Sequence, residues 1–325
     1  FFNQLIKFIM KKIFFAIAAC AALFACQKND QPKVDATESL VPCELTVGIC
    51  GNATKATAVT KENEEKVNNL QIFVFRGDEL DAYGSIDNAK ELTLSCTAGE
   101  RQVYAAVNAP DLSAINSKAA LLATVSNLSN NSLASFEMFG NKEVSLPSQT
   151  TVTIDVERLA SRIVVKEIER AFTSAGLHSL EFNINAIYVI NVADNTSYDL
   201  TARNTSWINE AMYKTELAEL THDAVGQPIA QGASYETAHS FYVYPHDATV
   251  KTTRLVIETT LGGRTYYYPI NMPALERNKS YEIELVKVTR PGSDDPDVPV
   301  SFADATFEVN VIDWTVVPVT EGTTI

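Results

Sequence analysis

Period-two alternation runs through most of this chain. From residue 44 to 50, Leu45, Val47 and Ile49 point one way and Glu44, Thr46 and Gly48 the other, the signature of a half-buried strand. Further strands are predicted at 70–75, 91–96, 101–107 and 150–156, all rich in β-branched and aromatic residues. A second set is predicted at 161–168, 180–192, 241–244, 254–261, 264–270 and 280–288, with Gly262-Gly263 as a hairpin turn. In the Ser-, Asn-, Ala- and Leu-rich stretch 112–139, the spacing of Ile115, Leu121, Leu122 and Val125 predicts one or two helical turns. Segments 51–66 and 193–238 lack an apolar period and read as an exposed loop and a surface insertion. Many short strands at regular spacing predict an all-β chain with two tandem β-sandwich domains, at 43–159 and 160–289.

The two ends carry different patterns. Residues 11–26, KKIFFAIAACAALFAC, have a positive start at Lys11 and Lys12, an apolar stretch, and a small residue before Cys26. That predicts a lipoprotein signal peptide over 1–25, with lipid carried on the Cys26 thiol. The apolar run is short of the roughly twenty residues that span a bilayer. Met10 is the expected start, with 1–9 upstream of it. Residues 26–42 are polar and proline-bearing, a tether. At the other end, Pro- and Asp-rich residues 290–300 read as a solvated linker to a strand-forming tail, 301–325. Phe307, Val309 and Val311 lie on one face of that tail and Ile312, Trp314 and Val316 on the other, so the apolar face switches between Val311 and Ile312.

These ends suggest a complementary pair. The loop after the first strand carries Lys55 and Lys61, and one cut there frees the strand over 43–55. Loss of Leu45, Val47 and Ile49 removes side chains each worth about 1.5–3 kcal/mol of burial and leaves a slot of unpaired backbone groups. The tail of a neighbouring molecule can fill such a slot by strand addition.

Charge and cysteine usage narrow the partners. The net charge is −14, and all forty acidic residues lie beyond Cys26, which argues against nucleic acid or an anionic membrane surface. Of five cysteines, Cys20 leaves with the signal and Cys26 takes lipid. Cys43, Cys50 and Cys96 remain, an odd trio that makes no disulfide framework. No HExxH, GxSxG, phosphate loop or CxxC occurs, so no enzyme, cofactor or metal is expected. His239 and His246 are seven apart and fall on opposite strand faces. Asp294, Asp295 and Asp297 are interrupted by Pro296 and lack a calcium loop's glutamate. Tyr266 and Tyr268 share a face with Ile270, either as hairpin packing or as a sugar-stacking platform.

Taken in order, LFAC (23–26), the first strand with its TKA loop (54–56), LQIFVF (70–75), AGERQVYAAVNAP (98–110), VERLASRIVV (156–165) and FEVNVIDWTVV (307–317) resemble the fimbrillins, lipoprotein-precursor subunits of type V pili. The resemblance covers residues 10–325. It implies two tandem transthyretin-like β-sandwiches, lipid-dependent export to the outer membrane surface, and excision of the first strand by a trypsin-like protease. It also implies polymerisation with identical or related subunits through the C-terminal strand, giving an extracellular adhesive fimbrium with a stalk-type tail. Family members are usually cut after arginine. Here Lys55 holds the matching position, which makes Ala56 the mature N-terminus. The alternative is a monomeric surface lipoprotein that binds glycans on a β-sandwich and keeps both its lipid and its first strand.

Overall fold

The computed structural model describes residues 41–51, 61–200, 206–210, 217–223, 228–247, 249–301 and 304–314. The signal segment, Cys26, most of the tether, Lys55, Ala56 and Val316 lie outside the described residues.

The first half contributes β1 (Pro42–Gly51), α1 (Lys61–Glu64), β2 (Asn69–Arg76), β3 (Glu79–Asp87), β4 (Glu91–Thr97) and β5 (Gly99–Val107). It continues through α2 (Lys118–Leu122), β6 (Val125–Asn127), β7 (Met138–Leu146) and β8 (Thr151–Arg158). Seven of these strands form one sheet in the order β3-β2-β5-β7-β8-β1-β4. β7 and β8 pair only at Met138↔Arg158 and Phe139↔Glu157, so the sheet splits into two leaves there. Leu70, Ile72 and Val74 of one leaf meet Leu45, Val47, Leu94 and Ile154 of the other in a shared core.

Alternation explains β1 and β8, in which every second residue is buried. β2 is buried on both faces, because Phe73 and Phe75 turn away from that core and pack with Leu121, Leu128 and Phe136. The stretch 112–139 keeps the short helical turn its spacing predicts, at Lys118–Leu122. It holds α2, capped by Ser117, the short strand β6, one 3₁₀ turn and the start of β7, and it lies over the outer face of β2 and β5.

The second half supplies β9 (Ser161–Val165), β10 (Ile168–Arg170), β11 (Phe182–Ile190), β12 (Val192–Ala193), β13 (Asn195–Ser197) and β14 (Trp207–Ile208). Next come β15 (Thr221–Asp223), β16 (Ser234–Tyr235), β17 (His239–Val243), β18 (Arg254–Leu261), β19 (Arg264–Asn271), β20 (Lys279–Ile283) and β21 (Val286–Val288). The chain closes with β22 (Ala305–Thr306) and β23 (Asn310–Asp313). Three four-stranded sheets result, β16-β10-β21-β22, β15-β11-β18-β19 and β17-β9-β20-β23. Gly262 and Gly263, with φ of +56° and +84°, make the β18–β19 turn in the left-handed conformation that glycine adopts without strain. The predicted insertion is partly built into the fold, since β13 pairs antiparallel with β6. The larger apolar core draws residues from both sides of position 160, from Phe73 and Phe139 to Phe241 and Tyr281.

Candidate functional site

β1 is an internal strand. It runs antiparallel to β4 and parallel to β8, with Leu45 opposite Leu94 and Val47 opposite Val152. Leu45, Val47 and Ile49 are all buried in the first core. Removing β1 would uncover two ladders and this apolar row at once.

Residues 290–300 are not a solvated linker. Ser293 and Tyr267 exchange both backbone hydrogen bonds, at 2.7 and 2.8 Å. Asp297 accepts from Arg254 and Asn191. Gly292 crosses so close to β19 that a Cβ would lie 2.2 Å from the Tyr267 carbonyl oxygen. The composition that suggested a tether serves instead to lay the chain along a sheet edge.

Beyond it, Phe307 and Val309 are half-buried against the larger core. β23 then pairs antiparallel with β20, with Tyr281 opposite Val311 and Ser280 opposite Ile312. It is an edge strand exposed on both faces: Val311 and Ile312 are 51% and 39% exposed. Trp314, one residue further, is 1% exposed.

The Trp314 pocket closes around a carboxylate that nothing local in the sequence marks. Glu64 of α1 is fully buried, and its Oε2 accepts the indole N–H at 3.0 Å. Its Oε1 accepts from Arg162 and from the Tyr242 hydroxyl, each at 3.0 Å. The Glu64 backbone carbonyl accepts from Arg158, whose guanidinium also reaches the Trp314 carbonyl at 3.1 Å and lies 4.6 Å over the indole. Tyr242 stacks on the ring and Phe136 meets it edge-on. Burial, reinforced by Glu64, pushes the Tyr242 hydroxyl pKa up; burial pulls the Arg158 guanidinium down, opposed by Glu64. Arg162 is also paired to Glu282. This cluster fastens the tail to α1. Glu64 and Trp314 are 250 positions apart, and only the VERLASRIVV segment, with Arg158 and Arg162 four apart, hinted at a polar centre.

The remaining candidates have structural partners. Tyr268 is buried and its hydroxyl donates to the Arg290 carbonyl, so Tyr266 and Tyr268 do not form a sugar-stacking platform. His246 bonds to Thr253, while His239 lies 3.0 Å, Nδ1 to Nδ1, from His222. Among the described residues no group of three or more His, Cys, Asp or Glu could hold a metal ion. Burial lowers the pKa of both paired histidines, and with the neighbouring ring it takes His239 to about 4. The unfolded chain takes up these protons near 6.5, the folded chain only at lower pH, so this contribution to stability is intact above 6.5 and is lost as pH falls toward 4. Thermal melts at about pH 7.5 and about pH 5 should show a larger drop for the wild type than for His239→Gln. Equal drops would refute the assignment.

Comparison with known proteins agrees with this architecture. Residues 43–158, which span the seven-stranded sheet, match the family profile described as major fimbrial subunit protein (FimA). The chain is similar to the major fimbrium subunit FimA type-2 of Porphyromonas gingivalis, 22% identical over 390 residues, covering 95% of this chain and 98% of that protein. Among solved structures, a candidate cell adhesion protein from Bacteroides eggerthii superposes with a TM-score of 0.68 at 20% identity, over 84% of this chain and 96% of that one. A fimbrilin (FimA) from Porphyromonas gingivalis superposes with a TM-score of 0.62 at 16% identity, over 84% and 98%. At these identities the two structures establish a shared fold.

Proposed function

We infer, from the match of residues 43–158 to the major fimbrial subunit profile and the likeness of the chain to a major fimbrium subunit along its length, that it is a structural pilus subunit of the fimbrillin type that matures by losing β1 and polymerises by receiving a neighbour's C-terminal strand in its place. The observation that carries this reading is the contrast between two strands. β1 is internal to its sheet, paired on both sides, with Leu45, Val47 and Ile49 in the core, yet it is followed in the sequence by the polar stretch that holds Lys55. β23 carries Val311 and Ile312 between Asn310 and Asp313, is held by a four-residue ladder, and is exposed on both faces. A neighbour's tail entering the β1 slot replaces two ladders of backbone bonds and an apolar row, and alternate side chains set its register.

In this reading Cys26 anchors the precursor to the outer membrane through lipid, and a trypsin-like protease cuts between Lys55 and Ala56. The donor segment is 306–319, with Phe307, Val309, Val311, Ile312, Trp314 and Val316 as its apolar contacts. Identical or related subunits add in series to an adhesive fimbrium at the cell surface. Trp314 must first leave Glu64, Arg158, Tyr242 and Phe136, so the pocket holds the donor in store until assembly. The rival reading, a glycan-binding monomer, loses its best platform with the burial of Tyr268.

Limited trypsin digestion followed by intact-mass analysis tests the maturation step. The expected product begins at Ala56, and fibres assembled from it lack residues 43–55. Fibre subunits that retain an intact Lys55–Ala56 bond as the dominant species would overturn the proposal.

A further inference from the structure

Three of the five cysteines fall among the described residues, and two of them face each other. Cys43 on β1 and Cys96 on β4 are register partners, with sulfurs 3.7 Å apart. Both lie on the core side of their strands, Cys96 buried and Cys43 half-buried. The ladder's phase fixes their geometry. Ala98 donates to Val41 and Ile49 to Lys90, so pairs 41↔98 and 49↔90 are hydrogen-bonded, and by alternation 43↔96 is too. Such partners have Cα atoms about 5.5 Å apart, inside the Cα range that disulfides occupy, and closing the bond draws the two sulfurs together from 3.7 Å. Cys50 is remote from this pair. It is exposed and donates to Asp155 across the β1–β8 ladder.

We propose that Cys43 and Cys96 form a disulfide that bolts β1 to β4 and makes release of the first strand depend on reduction. The inference rests on the reading of β1 as the removable strand. The odd count of cysteines concealed the pair, because the third, Cys50, stands elsewhere on the same strand. An exported chain meets oxidants of the right class, disulfide-bearing oxidoreductases. The exchange balances in two steps. The Cys43 thiolate attacks the oxidant's disulfide, giving a mixed disulfide and one free thiol. The Cys96 sulfur then attacks the Cys43 sulfur and expels the oxidant's second sulfur, which takes the Cys96 proton. Cys43 leads because burial, with the neighbouring thiol, pushes Cys96 up to about 12 and keeps it protonated. With the bond closed, a cut at Lys55 leaves 43–55 covalently attached and the groove occupied. A thiol reductant, oxidised in turn to its disulfide, opens it.

The test uses the full chain carrying Cys50→Ser, so that the tryptic peptide 34–55 holds Cys43 alone, and oxidised glutathione as the oxidant. After alkylation and digestion, peptides 34–55 and 91–101 should appear joined, two hydrogen masses below their sum. Persistence of both as alkylated thiols overturns the disulfide. A second arm cuts the folded, oxidised protein with trypsin and runs a denaturing gel. The β1 fragment should stay attached without dithiothreitol and separate with it, whereas in Cys96→Ser it should separate in either lane. Separation in every lane of the parent also overturns the proposal. The function reading fails differently. If cut Cys96→Ser, under native conditions and mixed with donor subunits, never exchanges its β1 fragment, strand removal is wrong even where the linked peptide stands.

Discussion

Replacing Trp314 with alanine is expected to cost the precursor about 3–5 kcal/mol, the range for truncating a large buried aromatic. The indole is nearly inaccessible, edge-on to Phe136, stacked on Tyr242 and under the Arg158 guanidinium. Its loss also leaves Glu64 Oε2 without its indole N–H donor in a site with no exposure. The effect should reach beyond the pocket. Without Trp314, β23 is left with the short ladder to β20 and the partly exposed Lys279–Asp313 ion pair among the described residues, and an isolated pairing of that length is not stable in water. Amide exchange at 310–313 should therefore accelerate far more than exchange in β20, which keeps its parallel pairing with β9. Trp314→Phe keeps most of the packing and removes the N–H, so a smaller loss of about 1–3 kcal/mol is expected. Thermal or denaturant unfolding with hydrogen exchange reads all three quantities. A Trp314→Ala protein that melts with the wild type and protects 310–313 normally would mean the tail is held by something other than this pocket.

The sequence made the strands with a single buried face legible and missed elements whose environment is set from elsewhere. In β1 and β8 alternation maps directly onto burial, because one face meets the core and the other does not. β3 escaped because it is partly exposed along its length and interrupted by Gly84, as suits the edge of a sheet. β7 escaped because Asn141, Lys142 and Glu143 break its pattern where it is exposed. In 112–139 the expected helical turn is present as α2, but the cover that Leu121, Leu128 and Phe136 give Phe73 and Phe75 follows no local period. The Trp314 pocket was beyond reach for another reason. A buried carboxylate is tolerable only when paired, and Glu64 finds Arg162, Tyr242 and Trp314 at separations of 98, 178 and 250 residues. No local pattern encodes such a closure. The apolar tail itself was plain, and so was its need for a partner.

That need leads to the expectation with the largest consequence for assembly: a chain truncated after residue 305 should accept a donor strand but never supply one. Truncation removes β23 and Trp314 and leaves β1 with its β4 and β8 ladders untouched, so the groove made by losing β1 is unaffected. Under strand exchange each subunit needs both a groove and a tail to extend a fibre in both directions, and a subunit with a groove alone terminates it. Protease-treated full-length protein should give a ladder of multimers on a denaturing gel run without boiling. Treated truncated protein alone should remain a single band, and adding it in excess to full-length protein should shorten the ladder. The uncovered pocket is the complication, since Glu64, Arg162 and Tyr242 lose their lid. Identical limited-digestion fragments from the two proteins would show that the acceptor half is intact. With that control met, a ladder formed by truncated protein alone would rule out 306–319 as the donor and place the polymerising strand elsewhere in the chain.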